Sequence, residues 1–186
     1  ETFTITVIDP NAGPPASALV EITPGGGIGA TTFGSSTISV SNTGVAGAPS
    51  IVDVSIDVRG SLIPDATFDP VGTAGDEGTQ CLAVSVEGGT GFVVPGDPCV
   101  EPFSLPHEDD PGVPANGYDE MSLAFTDFGV GEQIVFGVDV DPTSIQGVPG
   151  AGGAGAVSGL ELRGSSVTVT FSDGQVLTTQ LFGDGS

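Results

Sequence analysis

Aspartates dominate the side chains able to do chemistry in this sequence, and their spacing points to hard-cation binding more than to proton transfer. Asp139 and Asp141 lie two positions apart, so in an extended run both carboxylates leave one face, about 6.6 Å apart along the strand. Two carboxylates placed so closely repel unless a cation or hydrogen-bond donors stand between them. Asp53 and Asp57 share a face of a second alternating run, and Asp69 and Asp76 occupy loop sequence rich in Gly and Pro. Ca²⁺ takes six to eight oxygens from carboxylates, carbonyls and water. It is therefore the expected cofactor, with Asp139, Asp141, Asp53, Asp57, Asp69 and Asp76 as candidate ligands and the first two foremost. A plainer account stands beside this one. The five Asp-Pro steps (9–10, 69–70, 97–98, 110–111 and 141–142) suit turn starts, and an outward Asp on a strand usually forms a solvated face. Neither an EF-hand loop nor a Gly-Gly-x-Gly-x-Asp repeat occurs.

Catalytic chemistry is poorly supplied. The one histidine, His107, sits in Pro106-His107-Glu108-Asp109-Asp110-Pro111, which reads as an exposed polar loop. A Ser–His–acid triad would have to use it. The absence of Lys removes Schiff-base chemistry, Ser–Lys dyads, P-loops and Lys–Asn isopeptide cross-links. Carboxylates are plentiful enough for a glycosidase pair, but no spacing singles one out. A non-enzymatic protein is the expectation. Cys81 and Cys99, 18 positions apart, favour a disulfide by their even count and turn-rich flanks. Closing that loop is worth about 3 kcal/mol in the chain-entropy picture. Two buried thiols are the alternative; a zinc site is disfavoured, since two thiols without a nearby His leave the shell incomplete.

Charge excludes several partners. With 24 acidic residues against 2 arginines in 186 residues, the formal net charge is −22. Such a chain repels phosphate backbones and anionic membrane surfaces, and no apolar run approaches the roughly 18–20 residues of a membrane-spanning helix. The sequence opens on Glu1 and its sole methionine is Met121, so export after removal of a leader is expected, to the extracellular space or cell surface. Gly (31) and Pro (15) make about a quarter of the chain, a fraction that often marks low complexity. Here 38% of residues are hydrophobic and alternate with polar ones, which argues for a folded β-protein.

That alternation defines the elements. Phe3, Ile5 and Val7 oppose Thr2, Thr4 and Thr6; Val52, Val54, Ile56 and Val58 form one face, as do Ile134, Phe136, Val138 and Val140. Val167, Val169 and Phe171 precede Ser172-Asp173-Gly174-Gln175, so residues 166–171 and 175–182 should pair as an antiparallel hairpin. No helical apolar stripe survives the Gly and Pro breaks. Nine to eleven short strands predict an all-β fold with little or no helix. The expected form is a single antiparallel β-sandwich, jelly-roll or Ig-like, over residues 1–186 with long Gly/Pro-rich loops. Residues 70–118 form a turn-rich insert holding the cysteine pair, and residues 147–159 a long loop. Residues 1–9 are either an ordinary edge strand or a donor strand. In the second case Phe3, Ile5 and Val7 would fill pockets on a neighbouring copy's sheet edge, and head-to-tail repetition would build a filament.

The run Phe136-Gly137-Val138-Asp139-Val140-Asp141-Pro142-Thr143-Ser144-Ile145, then Val157-Ser158-Gly159-Leu160-Glu161-Leu162 and Val167-Thr168-Val169-Thr170-Phe171-Ser172-Asp173-Gly174, resembles a repeat module of large secreted bacterial and archaeal surface proteins, often found with malectin-like modules. Phe68-Asp69-Pro70-Val71-Gly72-Thr73-Ala74-Gly75-Asp76 and Cys81-Leu82 fit the same pattern. The resemblance implies an extracellular β-sandwich with adhesive, structural or glycan-binding work. Two readings follow. The first is a calcium-stabilised subunit or repeat of a surface filament, sheath or adhesin, whose partners are copies of itself or neighbouring modules. At −22, packing such copies needs bridging cations, glycan cover or high salt. The second is a calcium-containing carbohydrate-binding module. It ranks below the first because sugars stack on exposed aromatic rings, and Tyr118 is the only good platform in a chain with no Trp. An exposed cluster of Phe92, Phe103 and Tyr118 would reverse that order.

Overall fold

A computed structural model of the chain describes residues 2–6 (backbone only), 14–23, 37–107, 117–146, 157 and 159–182. The strands are β1 (Thr2–Thr6), β2 (Ser17–Ile22), β3 (Ile38–Asn42), β4 (Ile51–Asp57), β5 (Ala66–Phe68), β6 (Ala83–Glu87), β7 (Phe103–Pro106), β8 (Tyr118–Phe128), β9 (Gln133–Gly137), β10 (Val140–Pro142), β11 (Ser166–Phe171) and β12 (Val176–Gln180). They form two antiparallel sheets packed face to face as a β-sandwich. One sheet runs β1-β2-β3-β9-β6; the other runs β10-β5-β8-β4-β11-β12, with β7 also pairing β8. Helical backbone among the described residues is limited to short 3₁₀ turns such as Val58–Gly60 and Leu160–Leu162.

Alternation turns into burial. From the first sheet Val20, Ile22, Ile38, Val40, Ile134 and Phe136 meet Val54, Ile56, Met121, Leu123, Val167, Val169 and Phe171 from the second in one buried cluster. Each such side chain, taken fully from water, contributes about 1.5–3 kcal/mol. The hairpin forms as the Asp-Gly turn requires, with Thr170 opposite Val176 and Gly174 at φ 87°. One face departs from expectation. Both pairings of β4 skip Val52, so a bulge there turns Ile51 into the core and leaves Val52 half-buried. The N-terminal strand pairs with β2 of its own chain, Thr2 opposite Glu21 through Thr6 opposite Ser17, and forms the sheet edge. For Phe3 and Ile5 only this backbone pairing is described, and Val7 lies outside the described residues, as does nearly all of the 147–159 loop.

Two chain crossings at one corner position the candidate site. Between β5 and β6 the chain passes from the second sheet to the first, and between β9 and β10 it returns. The crossings are stitched together: the Asp69 N–H donates to the Asp139 carbonyl at 3.1 Å, and the Asp139 N–H donates to the Gln80 carbonyl at 3.0 Å. The Cys81–Cys99 disulfide fastens the first crossing just before β6. No helix among the described residues is long and apolar enough to cross a membrane.

Candidate metal centre

β5 and β10 pair with Phe68 opposite Val140 and Thr67 opposite Asp141. One step further along this register Asp69 stands against Asp139. Asp139 and Asp141 share a face by the two-residue period, so three carboxylates converge on one side of a two-strand ribbon. Each offers an oxygen lying within 4.8 Å of the other two, and all three residues are completely buried. The run from Ile134 to Val140 is therefore not one strand carrying a solvated acidic face. It breaks at Val138–Asp139, and the 69–80 loop packs over the acidic side. Gly75 makes that packing possible, since a Cβ there would sit 2.1 Å from the Asp141 Cβ.

The three carboxylates are treated differently. Asp69 Oδ1 accepts the Thr73 N–H at 2.9 Å, and its Oδ2 accepts those of Ala74 and Gly75, both at 2.8 Å. This nest of amides folds the loop around Asp69. Asp141 Oδ2 accepts only the Asp76 N–H at 2.9 Å. Asp141 Oδ1 and both oxygens of Asp139 are buried with no hydrogen-bond partner. Burial, then the charges of Asp141, Asp69 and Asp76, push the Asp139 carboxyl up to about 9. Burial likewise raises Asp141 to about 6, against the pull of the Asp76 N–H. A buried ionised carboxylate without donors is among the costliest groups a fold can carry, unless a metal or a partner compensates it. Three orphaned, buried carboxylate oxygens fit a hard divalent cation, whose charge and oxygen preference match the donor set.

The remaining candidates divide. Asp76, 4% exposed, lies beside the triad, with one carboxylate oxygen accepting the Gly78 N–H. Asp53 and Asp57 are not brought to it; they lie on β4, separated from β10 by β5 and β8. The Arg59 guanidinium and N–H bind the Asp57 carboxylate and lower its pKa, whereas burial and the Glu120 charge raise that of Asp53.

His107 overturns the exposed-loop expectation. It is 7% exposed, with Nδ1 2.6 Å from Oδ1 of buried Asp119. The β7–β8 ladder continues through the His107 N–H to the Gly117 carbonyl, which carries the ring inward. The sequence offered one signal for this, the alternation Asp119, Met121, Leu123, Phe125, which is the buried face of β8. Tyr118 is partly buried, packed against the core and stacked on Phe103 at 5.5 Å. Phe103 is itself buried, and Phe92 packs on Phe125. Phe92, Phe103 and Tyr118 thus form no exposed platform. Cys81 and Cys99 are joined.

Comparison with protein-family models, with curated proteins and with solved structures finds no match.

Proposed function

We propose that the chain is a non-catalytic structural β-sandwich of an extracellular assembly, stabilised by Ca²⁺ held among Asp69, Asp139 and Asp141. The observation that carries this reading is the set of three fully buried carboxylates with three unpartnered oxygens at the corner where both sheet crossings meet. An ion there ties β5, β10 and the 69–80 loop together without taking part in a reaction. The disulfide is in keeping with an oxidising compartment. The −22 charge makes cations a condition for packing copies side by side as a filament, sheath or adhesin repeat. The carbohydrate-binding alternative loses its main support, because Tyr118 and Phe103 spend their stacking faces on each other. Sedimentation velocity of the purified chain in Ca²⁺ and then in EDTA tests the reading. Polymers that shrink or unfold on chelation support it; a compact monomer indifferent to EDTA overturns it.

A further inference from the structure

The two sheets end in the strands β1, β6, β10 and β12. A free edge invites another strand, and folds usually blunt it with a bulge, a proline, a charge or a cover. β6 shifts register between Val84 and Val86 and ends on Glu87. β10 is short, carries Asp141 and Pro142, and its Val140 carbonyl accepts the Val157 N–H. β1 is described by its backbone alone. β12 has none of these guards. It pairs with β11 in unbroken register from Val176 to Gln180, and residues 174–182 hold neither a charge nor a proline in a chain at −22. The ladder to β11 fixes which backbone groups look outward. The Phe171 N–H donates to the Gln175 carbonyl and the Leu181 N–H to the Ser165 carbonyl, so odd-numbered residues here aim their backbone groups at β11. Val176, Thr178 and Gln180 aim theirs the other way, where no strand stands among the described residues.

We propose that β12 pairs antiparallel with β12 of a second copy, about a two-fold axis at Thr178, so that one continuous sheet joins two sandwiches. This names a contact surface for the assembly proposed above, on which it rests only for the second copy as partner; it needs no ion. In this register Thr178 faces Thr178 and Val176 faces Gln180, and every outward N–H and C=O of the three residues meets its complement. A slip of one residue would set outward groups against inward ones. The side chains agree with the pairing. Phe182 falls opposite Gly174 of the second copy and diagonal to its Val176; Phe182 and Val176 are each 57% exposed in the single chain, and the diagonal is within reach of an aromatic ring. Charge is complementary at the two ends. Of the two cations in the chain, Arg59 is held by Asp57, whereas Arg163 is exposed beside Leu181 and Phe182 with no ion pair among the described residues. The pairing brings the hairpin tip of the second copy, with its exposed Asp173, to that end of the strand.

The test is sedimentation velocity of the full chain in Ca²⁺ over a concentration series, at about 0.15 M salt, where a Debye length of about 8 Å screens most of the long-range repulsion. The wild type should associate reversibly. Thr178→Pro removes only an N–H that points away from β11, and should weaken association by roughly tenfold or more. Thr178→Lys lowers the net charge yet sets two lysines face to face, and should weaken it too. Thr178→Cys should oxidise to a covalent dimer, because facing hydrogen-bonded residues lie about 5.5 Å apart at Cα, within disulfide reach. Arg163→Asp should weaken association, and adding Asp173→Arg should restore it. Circular dichroism melts check folding; if Thr178→Pro unfolds, the Lys and Cys variants carry the comparison. A wild type still monomeric at about 1 mM, or association indifferent to the Thr178 variants, would overturn the β12 contact. The failures are distinguishable: a monomer that binds Ca²⁺ leaves the cation site standing, and Ca²⁺-dependent polymers indifferent to Thr178 leave the assembly reading standing without β12.

Discussion

Replacing Asp139 with Asn should stabilise the ion-free chain while abolishing its response to Ca²⁺. Asp139 is fully buried with neither carboxylate oxygen paired, and its carboxyl is held at about 9 against an ordinary 3.8. At pH 7 the unfolded chain is ionised at this residue and the folded, ion-free chain is not, so folding must take up a proton. Across roughly three pH units, at about 1.4 kcal/mol per unit, that uptake costs about 4 kcal/mol. Asn removes the cost, keeps the shape, and can donate its N–H groups to the Asp69 and Asp141 carboxylates. The gain has about 4 kcal/mol as its ceiling, or roughly 10 °C in Tm for a chain of this length. The wild type should gain about 2.7 kcal/mol from Ca²⁺ at a hundredfold excess over Kd, and the variant nothing. Thermal melts by circular dichroism, in EDTA and in Ca²⁺, read both effects. An Asp139→Asn protein less stable than wild type in EDTA would refute the reasoning, because Asp139 would then be earning its place without a cation.

The ion-free wild type should lose stability as pH rises from about 4 to about 9. In that window the unfolded chain has released the Asp139 proton and the folded chain retains it, with Asp141, raised to about 6, adding to the lower half. Melts in chelator should show this decline and saturating Ca²⁺ should abolish it; stability flat or rising over the window would contradict the assignment. Gly75→Ala should cost roughly 1–3 kcal/mol and weaken Ca²⁺ binding, since its Cβ would meet the Asp141 Cβ at 2.1 Å. Denaturant melts with wild-type stability would disprove that close approach. Changing both Cys81 and Cys99 to Ser should lower stability by about 3 kcal/mol in denaturant melts, and an unchanged midpoint would show that the crossing holds without its disulfide.

Local patterns made much of the fold legible. The alternation of β4, β9 and β11 and the Asp173-Gly174 turn identified strands and a hairpin without any tertiary knowledge, because the two-residue period is a local property. Val52 escaped because a bulge leaves no mark in a run of alternating valines and isoleucines. The shared face of Asp139 and Asp141 was equally local and readable. Their burial was not, since it depends on the 69–80 loop closing over them and on the single missing Cβ at Gly75. Asp69 and Asp76 could be named only as loop acids. What makes Asp69 a neighbour of Asp139 is the β5–β10 register, which joins positions 70 residues apart, and only the closed loop brings the Asp76 N–H to Asp141. By the same token Asp53 and Asp57 had as good a pattern as Asp139 and Asp141, yet β4 faces its acids toward Arg59 and Glu120. His107 was misjudged from its polar neighbours, because its burial is set by the ladder to Gly117 and by Asp119 across from it.

Calorimetric titration of Ca²⁺ into the chelator-stripped chain tests the central claim most directly. The expected result is saturable binding that raises Tm in the wild type and is absent in Asp139→Asn. No heat and no shift in Tm for the wild type would contradict it, and would leave Asp139 as a buried carboxyl that folds in its protonated form.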